Sequence, residues 1–256
     1  MKRPLAFARV PQSVMLIPLA PVLAVQAWRT VRRTPRLDPA GGDEHGFLEG
    51  ADPGAGPTFR VVVIGESTAV GVGASRHAEA LPGFLAEALR ERLRRSVAWS
   101  VSGENGATAR RITGGVVPPA DGSAPDLVVV TVGINDLIRR RPLRRWAADM
   151  AELVGVLRSR YGQATVLVAG MPPVHRFPAI PQPLRYVLGV RARTMDRIMR
   201  EAARAGGAVH APMDEAMARD RGLFASDGFH PSPAGYRAWA QDLARAAAVP
   251  RLAAPG

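Results

Sequence analysis

The sequence predicts an α/β protein, a three-layer α/β/α sandwich built on a five-stranded, mainly parallel sheet. Two observations carry this prediction. Over residues 58–256, short apolar runs of strand length alternate with longer segments of helical periodicity. Strands separated by helices must be parallel, and helices then cover both faces of the sheet. The strand runs are Phe59 to Ile64, Val97 to Val101, Leu127 to Val132, Thr165 to Val168 and a weaker Ala208 to His210. Between them, Leu81, Phe84, Leu85, Leu89 and Leu93 share one helical face, as do Trp146, Met150, Leu153, Val154 and Leu157, and Met195, Ile198, Met199 and Ala202. A last helix starts at Ser232, a natural N-cap followed by Pro233, with Tyr236, Trp239, Ala240, Leu243 and Ala247 as its buried stripe.

Two segments precede this domain. Residues 1–34 form a basic and apolar leader: Val10 to Trp28 carry no charge, with Lys2, Arg3 and Arg9 before them and Arg29, Arg32 and Arg33 after. Nineteen residues of helix would reach about 28 Å, barely the hydrocarbon thickness, and Pro11, Pro18 and Pro21 weaken that helix. The pattern predicts a signal sequence or a short membrane anchor, with Val25-Gln26-Ala27 offering the small residues of a cleavage site. The expected location is the cell envelope, membrane-associated or exported. Residues 35–57, with four Pro and six Gly and no apolar periodicity, read as a linker.

Composition removes several chemistries. With 47% hydrophobic and 22% charged residues, the 256-residue chain can bury a core. There is no Cys, so thiolate metal sites and cysteine nucleophiles are excluded. Lys2 is the single lysine among 34 basic residues, which excludes a Walker-type or Schiff-base lysine in the domain. Seven basic and no acidic residues lie within residues 1–36, so more than half of the net charge of +12 sits in that amino-terminal stretch. The charge therefore points to a membrane before it points to nucleic acid, for which no motif is present.

In a parallel α/β sheet the residues just after the strands form the site. The first strand is followed by Gly65-Glu66-Ser67-Thr68, the second by Gly103-Glu104-Asn105-Gly106, and the third by Gly133-Ile134-Asn135-Asp136. A serine at a strand-to-helix turn presents its hydroxyl at the sheet edge, a glycine offers an unobstructed N–H, and an asparagine adds a neutral donor for developing negative charge. Ahead of the last helix stands Asp227-Gly228-Phe229-His230, where a carboxylate three residues before an imidazole can fix its tautomer. His175, after the fourth strand, is the second candidate for a base.

Taken together and in this order, the four signals resemble the SGNH hydrolases, or GDSL esterases and lipases, over roughly residues 59–247. The resemblance implies a flavodoxin-like sheet and a carboxylic ester hydrolase working through an acyl-enzyme. It makes Ser67 the nucleophile, His230 the general base and Asp227 its orienting acid. The oxyanion hole would be the Ser67 N–H, Asn135 and Gly106, with Gly103 as the other candidate glycine. No metal or organic cofactor is implied. The chain departs from the family signature at Glu66, where the family carries Asp, and this bears on the geometry of the turn.

The substrate is expected to be a small-molecule or lipid ester, with lipid-like or short-chain acyl groups. Met171, Pro172, Pro173, Phe177, Pro178, Ile180 and Pro181 could supply an apolar wall. Arg139, Arg140, Arg141, Arg144 and Arg145 either face the pocket mouth, favouring anionic substrates, or face water. The alternatives are a polysaccharide O-acetyl esterase and a non-catalytic binding protein on the same fold.

Overall fold

The structure is a computed structural model that describes residues 19–247 apart from 53, 55, 119–123 and 216. Of the uncharged stretch Val10 to Trp28, residues 10–18 lie outside the described residues.

Helix α1 (Ala20–Arg33) is followed by strand β1 (His45–Leu48), β2 (Phe59–Gly65), α2 (Leu81–Leu93), β3 (Val97–Gly103) and α3 (Ala109–Gly115). Then come β4 (Leu127–Thr131), α4 (Ile134–Ile138), α5 (Leu143–Arg160), β5 (Thr165–Ala169), α6 (Leu184–Ala205), β6 (Val209–Ala211) and α7 (Pro233–Ala246). The strands form one sheet in the order β1-β3-β2-β4-β5-β6, parallel except for β1, which runs antiparallel to β3.

The sheet therefore has six strands rather than the five expected, and the extra one lies in the Gly/Pro-rich segment read as a linker. His45 pairs with Ser100 and Leu48 with Val97. Upstream, the Ala40 N–H donates to the Val70 carbonyl at 2.9 Å and Ala40 is buried. Four residues with exposed and half-buried positions alternating give no apolar run to find, and their partner strand supplies the pairing.

The helices follow the predicted stripes. Trp146, Met150, Leu153, Val154 and Leu157 are all fully buried, packing with Met195 and Met199 on one face of β2, β4 and β5. Leu81, Leu85 and Leu89 of α2 meet Tyr236, Trp239, Ala240 and Leu243 of α7 on the other. Burial of a leucine-sized side chain is worth about 1.5–3 kcal/mol, so these two layers supply most of the packing stabilisation. Ser232 caps α7 by accepting a hydrogen bond from the Gly235 N–H at 3.3 Å, with Pro233 in the first turn.

The layers leave the carboxyl edge of the sheet as a platform. Gly65 stands in register with Gly103 on one side and Thr131 on the other, so the residues after β2, β3 and β4 emerge side by side.

Candidate active site

Ser67 stands two residues past the end of β2 and is buried, as is Glu66 before it. The Glu66 N–H donates to the Thr131 carbonyl at 3.1 Å, and the Glu104 N–H donates to the Gly65 carbonyl at 3.1 Å. These two bonds extend the ladder one step past the strands and fix where the turns begin.

From the loop before α7, His230 reaches Ser67: its Nε2 lies 3.0 Å from Ser67 Oγ. Its Nδ1 lies 2.6 Å from Asp227 Oδ2, while Asp227 Oδ1 accepts the N–H groups of Phe229 at 2.9 Å and His230 at 3.0 Å. The carboxylate thus fixes both the ring and the backbone that carries it. Burial alone would raise the Asp227 carboxyl, but the hydrogen bonds from His230 and the two backbone N–H groups outweigh it and hold it below its ordinary value. An ionised Asp227 takes the Nδ1 proton of His230 as its donor and leaves the Nε2 lone pair facing the hydroxyl. Such a chain can accept a serine proton as the oxygen attacks a carbonyl.

Gly73 keeps this loop close. Its φ of +103° suits glycine, and a Cβ there would lie 3.1 Å from the Ala225 Cβ and 3.4 Å from the His230 Cβ. His175 sits elsewhere, in a short 3₁₀ turn, with Nε2 3.6 Å from Glu215 and outside the cavity that Ser67 and His230 line.

The two turns expected to supply oxyanion donors are tied to each other and to Glu66. Gly133, with φ +126°, is the N-cap of α4 and has no side chain to cap it. Glu66 takes over that role from the neighbouring strand: its carboxylate accepts the N–H of Ile134 at 3.2 Å, the N–H of Asn135 at 3.3 Å and the Asn135 Nδ2 at 2.7 Å. Both oxygens are engaged by donors, and burial pushes this carboxyl up to about 7. Sequence reasoning treated Glu66 as a departure in the turn and missed that it orients Asn135. A lone acid beside Ser67 in an otherwise apolar strand end was the available signal.

Gly106, with φ +85°, sits in the turn after β3, and its carbonyl accepts Arg139 Nη2 at 3.0 Å. The buried Asp136 accepts the Ala109 N–H at 2.9 Å, a second tie between the turns after β3 and β4. Gly103 is different: it ends the strand, and a Cβ there would lie 2.6 Å from Val70 Cγ1, so its need for glycine is one of close packing.

A narrow cavity of about 80 Å³ opens at Ser67 and His230. Its walls are apolar, from Ile134, Pro172, Pro173, Phe177, Phe224 and Phe229 among others. Phe177 stands edge-on to Phe224 and Phe229, with ring centroids 5.6 and 5.1 Å away, and Phe229 stands edge-on to His230. Of the apolar residues expected after the fourth strand, Pro172, Pro173 and Phe177 line it. None of the five arginines from Arg139 to Arg145 does: Arg139 holds Gly106, and Arg141 is paired with Asp149 at 2.6 and 2.8 Å.

Known proteins resemble this chain in sequence and in fold. A GDSL-like esterase of Mycobacterium tuberculosis is 33% identical over 190 residues, covering 72% of this chain, and the match spans 59% of that relative's length. A carbohydrate esterase family 2 enzyme of Corynascus thermopiles (Myceliophthora fergusii) superposes with a TM-score of 0.59 at 17% identity, covering 75% of this chain and 66% of that one. An acetyl xylan esterase of Geobacillus stearothermophilus does so with a TM-score of 0.57 at 18% identity, over 74% and 94% of the two chains. At these identities the two structures establish the shared fold. The model of the GDSL-like lipase/acylhydrolase family matches residues 63–238, a span that begins within β2, ends within α7 and holds Ser67, Asn135, Asp227 and His230, so the chain belongs to that family.

Proposed function

We propose that this chain is a serine ester hydrolase acting through a Ser-His-Asp acyl-enzyme mechanism on carboxylic esters with an apolar acyl group. The observation that carries the reading is the continuous relay from Ser67 Oγ to His230 Nε2 at 3.0 Å and from His230 Nδ1 to Asp227 Oδ2 at 2.6 Å. Ser67 Oγ attacks the ester carbonyl while His230 takes its proton. The charge gathers on the carbonyl oxygen, to which the N–H groups of Ser67 and Gly106 and the Asn135 amide donate. The intermediate collapses as His230 returns the proton to the departing alcohol, leaving Ser67 acylated. Water, deprotonated by the same imidazole, then releases the acid.

The phenylalanine and proline walls support a lipid-like acyl group over acetyl. The carbohydrate esterases that share the fold are the reason to test acetyl esters beside longer ones. The basic, apolar leader supports action at the cell envelope with the amino-terminal segment on a membrane.

Hydrolysis of p-nitrophenyl acetate and p-nitrophenyl octanoate tests the assignment. Ser67→Ala and Asp227→Asn are expected to fold normally and to lose roughly 10³-fold or more in kcat. Near-normal turnover by a folded Ser67→Ala protein would sink the mechanism, and a preference for acetate would move the substrate to small O-acetyl groups.

A further inference from the structure

Helix α1 has two faces, and one is already occupied. Leu23 and Ala27 pack against the core. Between them Gln26 reads the start of α6, its Nε2 donating to the Gln182 carbonyl at 2.7 Å and its Oε1 accepting the Leu184 N–H at 3.1 Å. In this position α1 lies along the domain, and no helix among the described residues is long and apolar enough to cross a membrane.

The other side carries large apolar residues in water. Val22 is 45% exposed, Val25 48%, Trp28 56% and Val31 65%, and Tyr186, two residues beyond Leu184 on α6, is 57% exposed. Among the described residues the exposed large hydrophobics number seven, and five of them gather here. Arg29, Arg32 and Arg33 interleave with them, α1 has no acidic residue, and the Arg32 guanidinium lies 4.6 Å from the centre of the Trp28 ring. The sequence leading into the helix has the same character, with no charge in residues 10–18 and Lys2, Arg3 and Arg9 before them.

We propose that this face of α1 docks on a membrane surface containing anionic phospholipid, with the helix lying in the interface. The proposal rests on the membrane association put forward above. Valines and a tryptophan set into the boundary of the acyl region leave the arginines at headgroup level, where they meet phosphate. A second copy of the chain fits less well, because an isologous pairing through this face would set the same three arginines against one another. Gln26 gives the docking a consequence. It ties the membrane helix to Gln182 and Leu184, which follow in the same chain segment as Phe177, a residue of the Ser67 cavity wall.

Flotation of the full chain with phosphatidylcholine vesicles, with and without phosphatidylglycerol, tests the proposal. Binding is expected to be at least tenfold stronger with phosphatidylglycerol and to weaken as salt is added. The paired Val25→Glu and Trp28→Glu substitutions should abolish it, and Arg29→Gln, Arg32→Gln and Arg33→Gln together should cut it roughly 10- to 100-fold. Hydrolysis of a soluble ester should stay unchanged in both proteins, since neither set touches the cavity. If the wild-type chain binds vesicles and both variants bind equally well, this face is not the docking surface while membrane association stands. If the wild-type chain binds no vesicle, both readings fall. Equal binding to vesicles without phosphatidylglycerol overturns the anionic requirement, and a dimer that Trp28→Glu dissolves assigns the face to a second copy.

Discussion

At the scale of single residues, Glu66 sets two properties of the site against each other. As a carboxylate it accepts from three N–H groups of Ile134 and Asn135; when protonated it must turn an O–H toward one of those donors and loosen the Asn135 amide. Burial pushes it up to about 7 from an ordinary 4.5. Because the folded value lies above the unfolded one, the stability it contributes is complete below about pH 4.5 and is lost as pH rises through about 7, a change on the order of 3 kcal/mol. Turnover should run the other way, rising through the same window as the carboxylate forms and Asn135 is fixed. In Glu66→Gln one oxygen becomes an NH₂ group that faces N–H donors, so kcat should fall about 10- to 100-fold with KM little changed. The decisive measurement is the stability slope between pH 5 and 8 in urea. It should flatten in Glu66→Gln, and an unchanged slope would show that Glu66 does not titrate there.

At the scale of elements, the turn into α4 depends on a glycine. Gly133 has φ +126°, and an added Cβ would overlap Met171 Sδ and lie 3.3 Å from the Trp146 ring. The flexible Met171 side chain can turn aside, but the positive φ strains any side chain at this position and the Trp146 ring behind it is fully buried. Gly133→Ala is therefore expected to cost about 1–3 kcal/mol in urea denaturation and to lower kcat by displacing Asn135, and a loss of stability with full kcat would remove the link to Asn135. The same turn shows what a sequence reveals. Ser67, Asn135 and the Asp227/His230 pair were legible because each stands at a strand end or within one short motif, and the stripes of α2, α5 and α7 because 3.6-residue periodicity records burial directly. Ties between distant residues leave no local pattern. Glu66 with Asn135, Arg139 with Gly106, and the pairing of β1 with β3 each depend on contacts tens of residues apart in sequence.

At the scale of the whole molecule, the boundary of the folded unit lies earlier than composition indicates. Residues 40–50 are built into the domain: Ala40 is buried, His77 donates its N–H to the Gly41 carbonyl at 3.1 Å, and Val101 donates to the Glu44 carbonyl at 2.8 Å. Gly46 lies flat on Trp99, close enough that a Cβ would sit 2.6 Å from the indole. A chain beginning at Thr58 keeps every residue of the proposed site yet strips β1 from β3, uncovering Trp99 and leaving β3 as an open edge. Four cross-strand pairs at about 0.2–1 kcal/mol each predict a loss of roughly 1–4 kcal/mol, with a tendency to associate through the exposed strand. A chain beginning at Thr34 retains β1 and loses only α1 and what precedes it, so it should hydrolyse a soluble ester at the full rate without binding vesicles. Thermal denaturation and gel filtration of the two chains side by side check the boundary. If the chain from Thr58 melts at the same temperature as the chain from Thr34 and runs as the same monomer, β1 adds nothing to the fold and the domain begins at β2.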